Sequence, residues 1–360
     1  MPVKSVAYFI SSHGFGHAAR AAAVMQAFAE YDPSVQFEIF TATPYWFFQD
    51  SLSTAFNYHH LLTDFGLAQK TPFESDIGDT LRNLDAFYPV AQKRLADIAK
   101  TIRRFECKFI ICDIAPMGLL VAKDVGIPSI LVENFTWDWI YQQYAAVDEN
   151  IKNHINYLKP IFGSADYHIQ TEPICSLKSP DLVTGPVSRK PKTPRNQIRQ
   201  RLGLLTDRNV VLITTGGIPQ SYDFLQKLEK LGEIQFVMPG AGPEIKIHDN
   251  LTILPHQSDF YHPDLVNASD AVIGKVGYST LAEVYHAGVP FGYVARSNYN
   301  ESGPMVNFIK QQMPGIAVEE SEFHDGDWIF KIRELLALTR VHRKGANGAE
   351  QIGEFIFSLT

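Results

Sequence analysis

The feature that most constrains this 360-residue chain is a strand-like run that ends in a glycine loop and opens at once into a helical pattern, and it occurs twice. Residues 6–11 lead through His13-Gly14-Phe15-Gly16-His17 into an alanine-rich stretch, 18–31. Residues 271–273 lead through Gly274-Lys275-Val276-Gly277-Tyr278-Ser279-Thr280 into a helix that carries Glu283 about one turn from its start. Each is a parallel βα unit, and further short β-branched or aromatic runs alternate with helical patterns around it. The first series predicts strands at 6–11, 36–41, 108–112, 129–132 and 166–170; the second predicts 210–214, 234–238, 251–254, 271–273 and 291–294. Between them, 184–193 holds Pro186, Pro191 and several basic residues with almost no apolar content, which suits a linker.

The expected fold class is therefore α/β with two Rossmann-like parallel-sheet domains facing across a cleft. The expected division is 1–185, 186–345 and a C-terminal helix in 346–360 that packs back toward the first domain. A single core rarely grows to this length, which agrees with two. A hydrophobic fraction of 45% and a charged fraction of 20% are ordinary for a globular protein, and the net charge of −7 disfavours a protein that grips nucleic acid by its phosphates. The N-terminal apolar run is too short to span a bilayer and has no signal-peptide cleavage region, so a cytoplasmic location is expected, with peripheral membrane contact left open. Cys107, Cys112 and Cys175 lack metal-ligand spacing and read as free thiols.

Ligands of open α/β sheets bind at the carboxyl ends of the strands. His17 stands there at the start of the first helix, where a neutral imidazole can take a proton from a hydroxyl; His13 competes for that role, and a packing or capping role is the plain alternative. Asp113 ends the run 109–112 and faces the same edge, so it can fix the tautomer of His17 or cap the helix that starts near Pro116. Gly14-Phe15-Gly16-His17-Ala18-Ala19 also fits the dinucleotide pattern G-x-G-x-x-A, but no acidic residue ends the second strand to hold a ribose. In the second half, Gly216-Gly217 follows a strand, and the amides near Gly277, Ser279 and Thr280 converge at a helix N-terminus beside Lys275, a diphosphate-binding composition. Glu283 is placed to take two hydrogen bonds from a ribose diol.

Gly16-His17, Gly216-Gly217 and Lys275-x-Gly-x-Ser-Thr-x-x-Glu283 followed by His286-Ala287-Gly288-Val289-Pro290 resemble the GT-B glycosyltransferases related to the MurG-type, family 28-like, N-acetylglucosamine transferases. A closer likeness, carried by Gly14-Phe15-Gly16-His17-Ala18, Asn134-Phe135-Thr136-Trp137-Asp138 and Gly274-Lys275-Val276-Gly277-Tyr278, is to the glycosyltransferase-like N-terminal region of plant arabinokinases. The resemblance implies that His17 is the catalytic base with Asp113 as partner, in an acceptor-side first domain. Gly16, Gly216, Gly217, Lys275, Gly277, Ser279 and Thr280 would surround the donor diphosphate, Glu283 the ribose, and His256 and Gln257 the nucleobase. Where many members carry an Asp-Gln pair before an Asn to bind the donor sugar, this chain has Gly303 and Pro304 before Asn307, and Asn300 and Glu301 stand in for that pair.

Asn134, Trp137, Asp138 and Tyr141 combine polar groups with aromatic faces, a composition for stacking on a sugar or acceptor as well as for burial between domains. With His13 they are the acceptor-side candidates. Asp325-Gly326-Asp327 precedes a helical stretch at 328–338 and reads as an N-cap, so no metal and no cofactor beyond the nucleotide-sugar co-substrate, a UDP-sugar first, is expected. The reaction expected is inverting, metal-independent glycosyl transfer to an acceptor hydroxyl. A nucleotide-sugar epimerase or hydrolase, or a non-catalytic nucleotide-sugar-binding module, could use the same fold.

Overall fold

The computed structural model describes residues 4–71, 73–216 and 222–359. The first half is built on β1 (Lys4–Ile10), β2 (Val35–Thr41), β3 (Phe56–His60), a two-stranded ribbon β4 (Ala68–Gln69) and β5 (Ser75–Asp76), then β6 (Ile110–Asp113), β7 (Ser129–Glu133), β8 (Tyr167–Thr171) and β9 (Leu182–Thr184). The main sheet runs β3-β2-β1-β6-β7-β8-β9 with every neighbour parallel. The second half follows with β10 (Asn209–Thr214), β11 (Ile234–Pro239), β12 (Lys246–His248), β13 (Leu251–Leu254), β14 (Ala271–Lys275), β15 (Phe291–Val294) and β16 (Gly315–Val318), in the order β12-β13-β11-β10-β14-β15-β16. Only the β12–β13 pairing of this sheet is antiparallel.

All ten strands expected from the sequence are present, with ends shifted by a residue or two. The four main-sheet strands that were not expected, β3, β9, β12 and β16, are the four sheet edges. An inner strand of a parallel sheet is buried on both faces and reads as a continuous apolar run. An edge strand is short or half-exposed, as in Phe-Asn-Tyr-His-His of β3 or the exposed Lys-Ile-His of β12, and lacks that signature.

The first helix, Phe15–Tyr31, begins three residues before its expected start, so Gly16 and His17 lie in its first turn. Gly14 caps it at φ 73°, a left-handed conformation that favours glycine. Its alanines are buried because three layers close on it: the first sheet, the second half and the C-terminal helix Gly348–Ser358. Gly353 makes the last contact close. A Cβ there would stand 3.0 Å from the backbone carbon of Ala27 and from the amide nitrogen of Phe28, atoms that cannot turn aside.

The halves also meet elsewhere. The β4–β5 ribbon of the first half carries Phe73 into the apolar core of the second, against Phe323. Asn300 N–H donates to Gln143 Oε1 at 2.7 Å, and Tyr144 Oη–H donates to the Asn298 carbonyl at 3.3 Å. Among the described residues no helix is long and apolar enough to cross a membrane.

Gly353→Val should lower stability by about 1–3 kcal/mol through overpacking. Urea unfolding checks this: an unchanged midpoint would mean that the C-terminal helix does not dock on the first helix as described.

Candidate functional site in the interdomain cleft

β1 and β6 are neighbours, which brings the first helix's N-terminus beside the end of β6. His17 Nδ1–H faces Asp113 Oδ1 at 2.9 Å, which leaves Nε2 as the basic nitrogen; it has no hydrogen-bond partner among the described residues. Asp113 is fully buried, and its carboxylate is also held by Arg20, Nε to Oδ2 at 2.8 Å and Nη2 to Oδ1 at 2.7 Å. Burial pushes the Asp113 carboxyl upward, but the Arg20 charge and hydrogen bonds, with His17, outweigh it and hold the group below its ordinary value. The helix after β6 is capped by Ala115 without a side-chain bond, so the capping role weighed for Asp113 is not the one it plays.

Arg20 reaches further. Its Nη1 donates to Asn134 Oδ1 at 2.7 Å, and its guanidinium lies 4.7 Å from the ring centre of Tyr278 in the other half. Asn134 Nδ2 in turn donates to Glu301 Oε1 at 3.0 Å, again across the cleft. A chain of polar contacts therefore runs from His17 through Asp113, Arg20 and Asn134 to Glu301.

The opposing wall is the N-terminus of the helix Tyr278–Ala287. A Cβ placed on Gly16 would stand 3.8 Å from Ser279 Oγ, so two helix N-termini of long helices face each other at close range. Both present unpaired amides and the positive ends of their dipoles. Gly16, His17, Gly216, Lys275, Gly277, Ser279, Thr280 and Glu301 line one cavity of about 80 Å³ with His13 and Arg20. Removal from water, together with the charge of Arg296, brings the Lys275 ammonium down to about 7. Burial, His17, Arg296 and Lys275 likewise hold His13 well below the ordinary histidine value, as a neutral imidazole set edge-on to Trp137.

A second cavity of about 100 Å³ shares Phe15, Gly216, Ser279 and Thr280 with the first. Its remaining wall is largely apolar and aromatic, including Trp46, Phe47, Pro239, Pro255, His256 and Tyr261. That is a slot suited to a flat ring, joined to the first cavity at the helix N-terminus that can hold an anion.

Several expected site residues lie elsewhere. Glu283 is buried and does not line either cleft cavity: Oε1 accepts from Arg189 Nε and Nη2 at 3.1 and 2.9 Å, and Oε2 meets His262 Nδ1 at 2.6 Å. Both oxygens are engaged inside the protein, and His262 takes the place on the cavity wall. Asn300 and Gln257 are exposed and line neither cavity. Trp137 is fully buried, its indole N–H donating to Asp64 Oδ2 at 2.7 Å, and Asp138 is buried away from both cavities; they wall the site from behind and do not open onto it. Gly217 lies outside the described residues. Asp327, read as an N-cap, instead pairs with Lys227 Nζ at 2.9 Å, because the turn that follows is a 3-10 helix capped by Gly326.

Four residues that the sequence did not single out shape the site: Arg20, Arg189, Arg296 and His262. Arg20 carried a signal, since it stands three residues after His17 on the same helix face. Arg189 and His262 carried none, because their partners are distant in sequence, and Arg296 stands only three and five residues from Tyr299 and Glu301 but in a loop, where spacing says nothing of contact.

Residues 4–323 match the model of glycosyl transferase family 1, and the chain belongs to that family. The L-arabinokinase of Arabidopsis thaliana is 27% identical over 352 residues, 96% of this chain and 33% of that protein, so the chain spans about a third of this relative's length. Among solved structures, the spinosyn rhamnosyltransferase SpnG complexed with thymidine diphosphate is 10% identical with TM-score 0.58, covering 99% of this chain and 95% of that one. The MurG of Acinetobacter baumannii is 15% identical with TM-score 0.52, covering 99% and 98%. The fold is that of the GT-B glycosyltransferases, as the sequence led us to expect.

The buried Arg20–Asp113 pair gives a direct test. Asp113→Asn and Arg20→Met should each cost about 3–5 kcal/mol, since each strands one buried polar partner, while the double variant should recover much of the loss. Urea unfolding of the four proteins measures the coupling; strictly additive losses would show that the two groups do not stabilise each other.

Proposed function

We propose that this chain transfers a glycosyl group from a nucleoside-diphosphate sugar, a UDP-sugar first, to an acceptor hydroxyl, with inversion and without a metal ion. One observation carries the reading: two helix N-termini and Lys275 converge on a cavity lined by His17, whose Nδ1 is held from behind by the buried Asp113. The flat base would enter the aromatic slot, with His256 and Pro255 along it. The diphosphate would sit at Gly216, Ser279 and Thr280, which the two cavities share, leaving the sugar beside Glu301 and His17. Ribose contact would fall to His262, oriented by Glu283.

In the transfer step His17 Nε2 takes the acceptor's hydroxyl proton while the acceptor oxygen attacks the anomeric carbon. The bond from that carbon to the diphosphate oxygen breaks, and its electron pair leaves with the diphosphate. With His17 across the cleft from the leaving diphosphate, attack from the face away from the departing phosphate would invert the centre. Asp113 keeps the Nδ1–H tautomer and stabilises the imidazolium formed. Lys275 and the helix amides meet the charge that develops on the leaving oxygen, which is the work a metal ion does elsewhere. His13, neutral and on the same rim, would contact the acceptor.

His17→Ala should lower the transfer rate by about 10²–10⁴-fold while leaving nucleoside diphosphate affinity unchanged. Coupled transfer assays and calorimetry read the two separately; wild-type transfer in this variant would remove His17 from the mechanism.

Lys275 supplies a pH signature. Above about pH 7 the free protein carries it largely neutral, and a bound diphosphate should return its affinity for protons toward the ordinary 10.5. Binding at pH 8 should then take up a proton, and binding well below pH 7 should take up none. Titrations in buffers of different ionisation enthalpy measure this, and Lys275→Met should abolish the uptake.

A further inference from the structure

Trp137 is the wall against which both cleft histidines rest. His13 meets its ring edge-on at 5.1 Å between centres, and His17 stands 6.2 Å from it. The ring is fully buried, so its indole N–H has to find a partner inside the protein, and that partner is Asp64 Oδ2 at 2.7 Å. The N–H is the ring's one polar atom, and the bond to it keeps the indole from sliding in its own plane.

Asp64 belongs to residues 63–66, between β3 and β4, and that segment is itself pinned. Thr63 Oγ1–H donates to the Ile10 carbonyl at the end of β1 at 2.8 Å, and Tyr141 Oη–H donates to the Phe65 carbonyl at 2.6 Å. Gly66 closes on the two rings: a Cβ there would stand 2.7 Å from Trp137 and 2.8 Å from His13 Nδ1. The segment therefore meets Trp137 at its N–H and at its ring, and meets His13 as well.

Asp64 is 2% exposed and forms no ion pair among the described residues. Burial pushes its carboxyl up to about 6, although hydrogen bonds from Ser11 and Trp137 and the nearby His17 pull it down. The other ionisable groups around it are Asp113 and the hydroxyls of Tyr88 and Tyr141, which burial keeps neutral. A buried acid without a cation is a costly acceptor for one indole, so packing alone does not account for the choice of residue.

We infer that Asp64 is a positioning residue: by holding Trp137 it fixes where the His13 and His17 rings stand on the cleft wall. This deepens the transferase reading above, and the ring contacts can be measured independently of it.

Nuclear magnetic resonance of the full chain with isotope-labelled tryptophan reads the bond, since the chain has four tryptophans and Trp137→Phe assigns the signal. The Trp137 indole signal should move with a midpoint of about pH 6 in the wild type and stay still in Asp64→Asn. Cross-relaxation between the Trp137 and His13 rings should persist in Asp64→Asn, which keeps an acceptor oxygen, and weaken in Asp64→Ala, which keeps none. An indole signal indifferent to both pH and Asp64→Asn, or unchanged ring contacts in a folded Asp64→Ala, would overturn the inference. In transfer assays Asp64→Ala should lower kcat by about 10–100-fold with donor KM unchanged, and Asp64→Asn should recover most of the loss. Equal kcat in the wild type and Asp64→Ala would also overturn it. A wild-type chain that transfers no sugar would sink the transferase reading, and the ring contacts would then decide alone what Asp64 positions. If Asp64→Ala does not fold, Trp137→Phe takes its place: without the N–H, kcat should fall in the same way and become indifferent to Asp64→Asn, and continued sensitivity to Asp64→Asn would show that Asp64 does not act through Trp137.

Discussion

Asp113 enters the folded protein with no water around it, and Arg20 supplies the charge that lets it stay ionised there. A lone buried carboxylate would bind a proton instead; gripped through both oxygens, it remains an acceptor for His17. The same guanidinium holds Asn134 and lies over Tyr278, so the geometry of His17, the first-half side of the cleft and the contact with the second half share one anchor. Asp113 is shared between an arginine and a histidine, and its contact with Nδ1 orients the His17 ring.

A second buried arginine plays the matching part at the linker. Arg189 grips Glu283 of the second half, donates to Ser51 Oγ of the first at 3.1 Å, and lies between the rings of Phe47 and Tyr261, 4.7 and 5.0 Å from their centres. With the halves closed in this way, the two cavities of about 80 and 100 Å³ are smaller than the roughly 300–1,000 Å³ of ordinary ligand sites. A nucleotide sugar, the donor proposed above, would need more room than this, and the polar contacts that close the cleft are those from Asn134 to Glu301 and from Gln143 to Asn300.

Most of the fold was legible because the inner strands of parallel sheets write themselves as apolar runs between glycine loops. The edge strands did not, since half-exposed segments such as β3 mix histidine, asparagine and tyrosine. The site was legible in the same measure. His17, Asp113, Lys275, Ser279 and Thr280 stand at strand ends and helix starts, where topology dictates that side chains meet. Glu283 illustrates the limit: its position one turn into a helix was readable, but the arginine 94 residues away that occupies its carboxylate was not. Asn300 and Glu301 illustrate another. Adjacent residues point in different directions, and only the backbone path after β15 turned the glutamate inward and left the asparagine in solvent.

By itself, then, the sequence determined two parallel α/β halves, the glycine loops that close them, and the residue types gathered at each carboxyl edge, because periodicity and loop chemistry are local properties. Tertiary structure alone decided how those edges face one another: which carboxylates are already neutralised, and which aromatic groups wall the cleft from behind. Those outcomes depend on desolvation and on charges that meet only once distant segments have packed together.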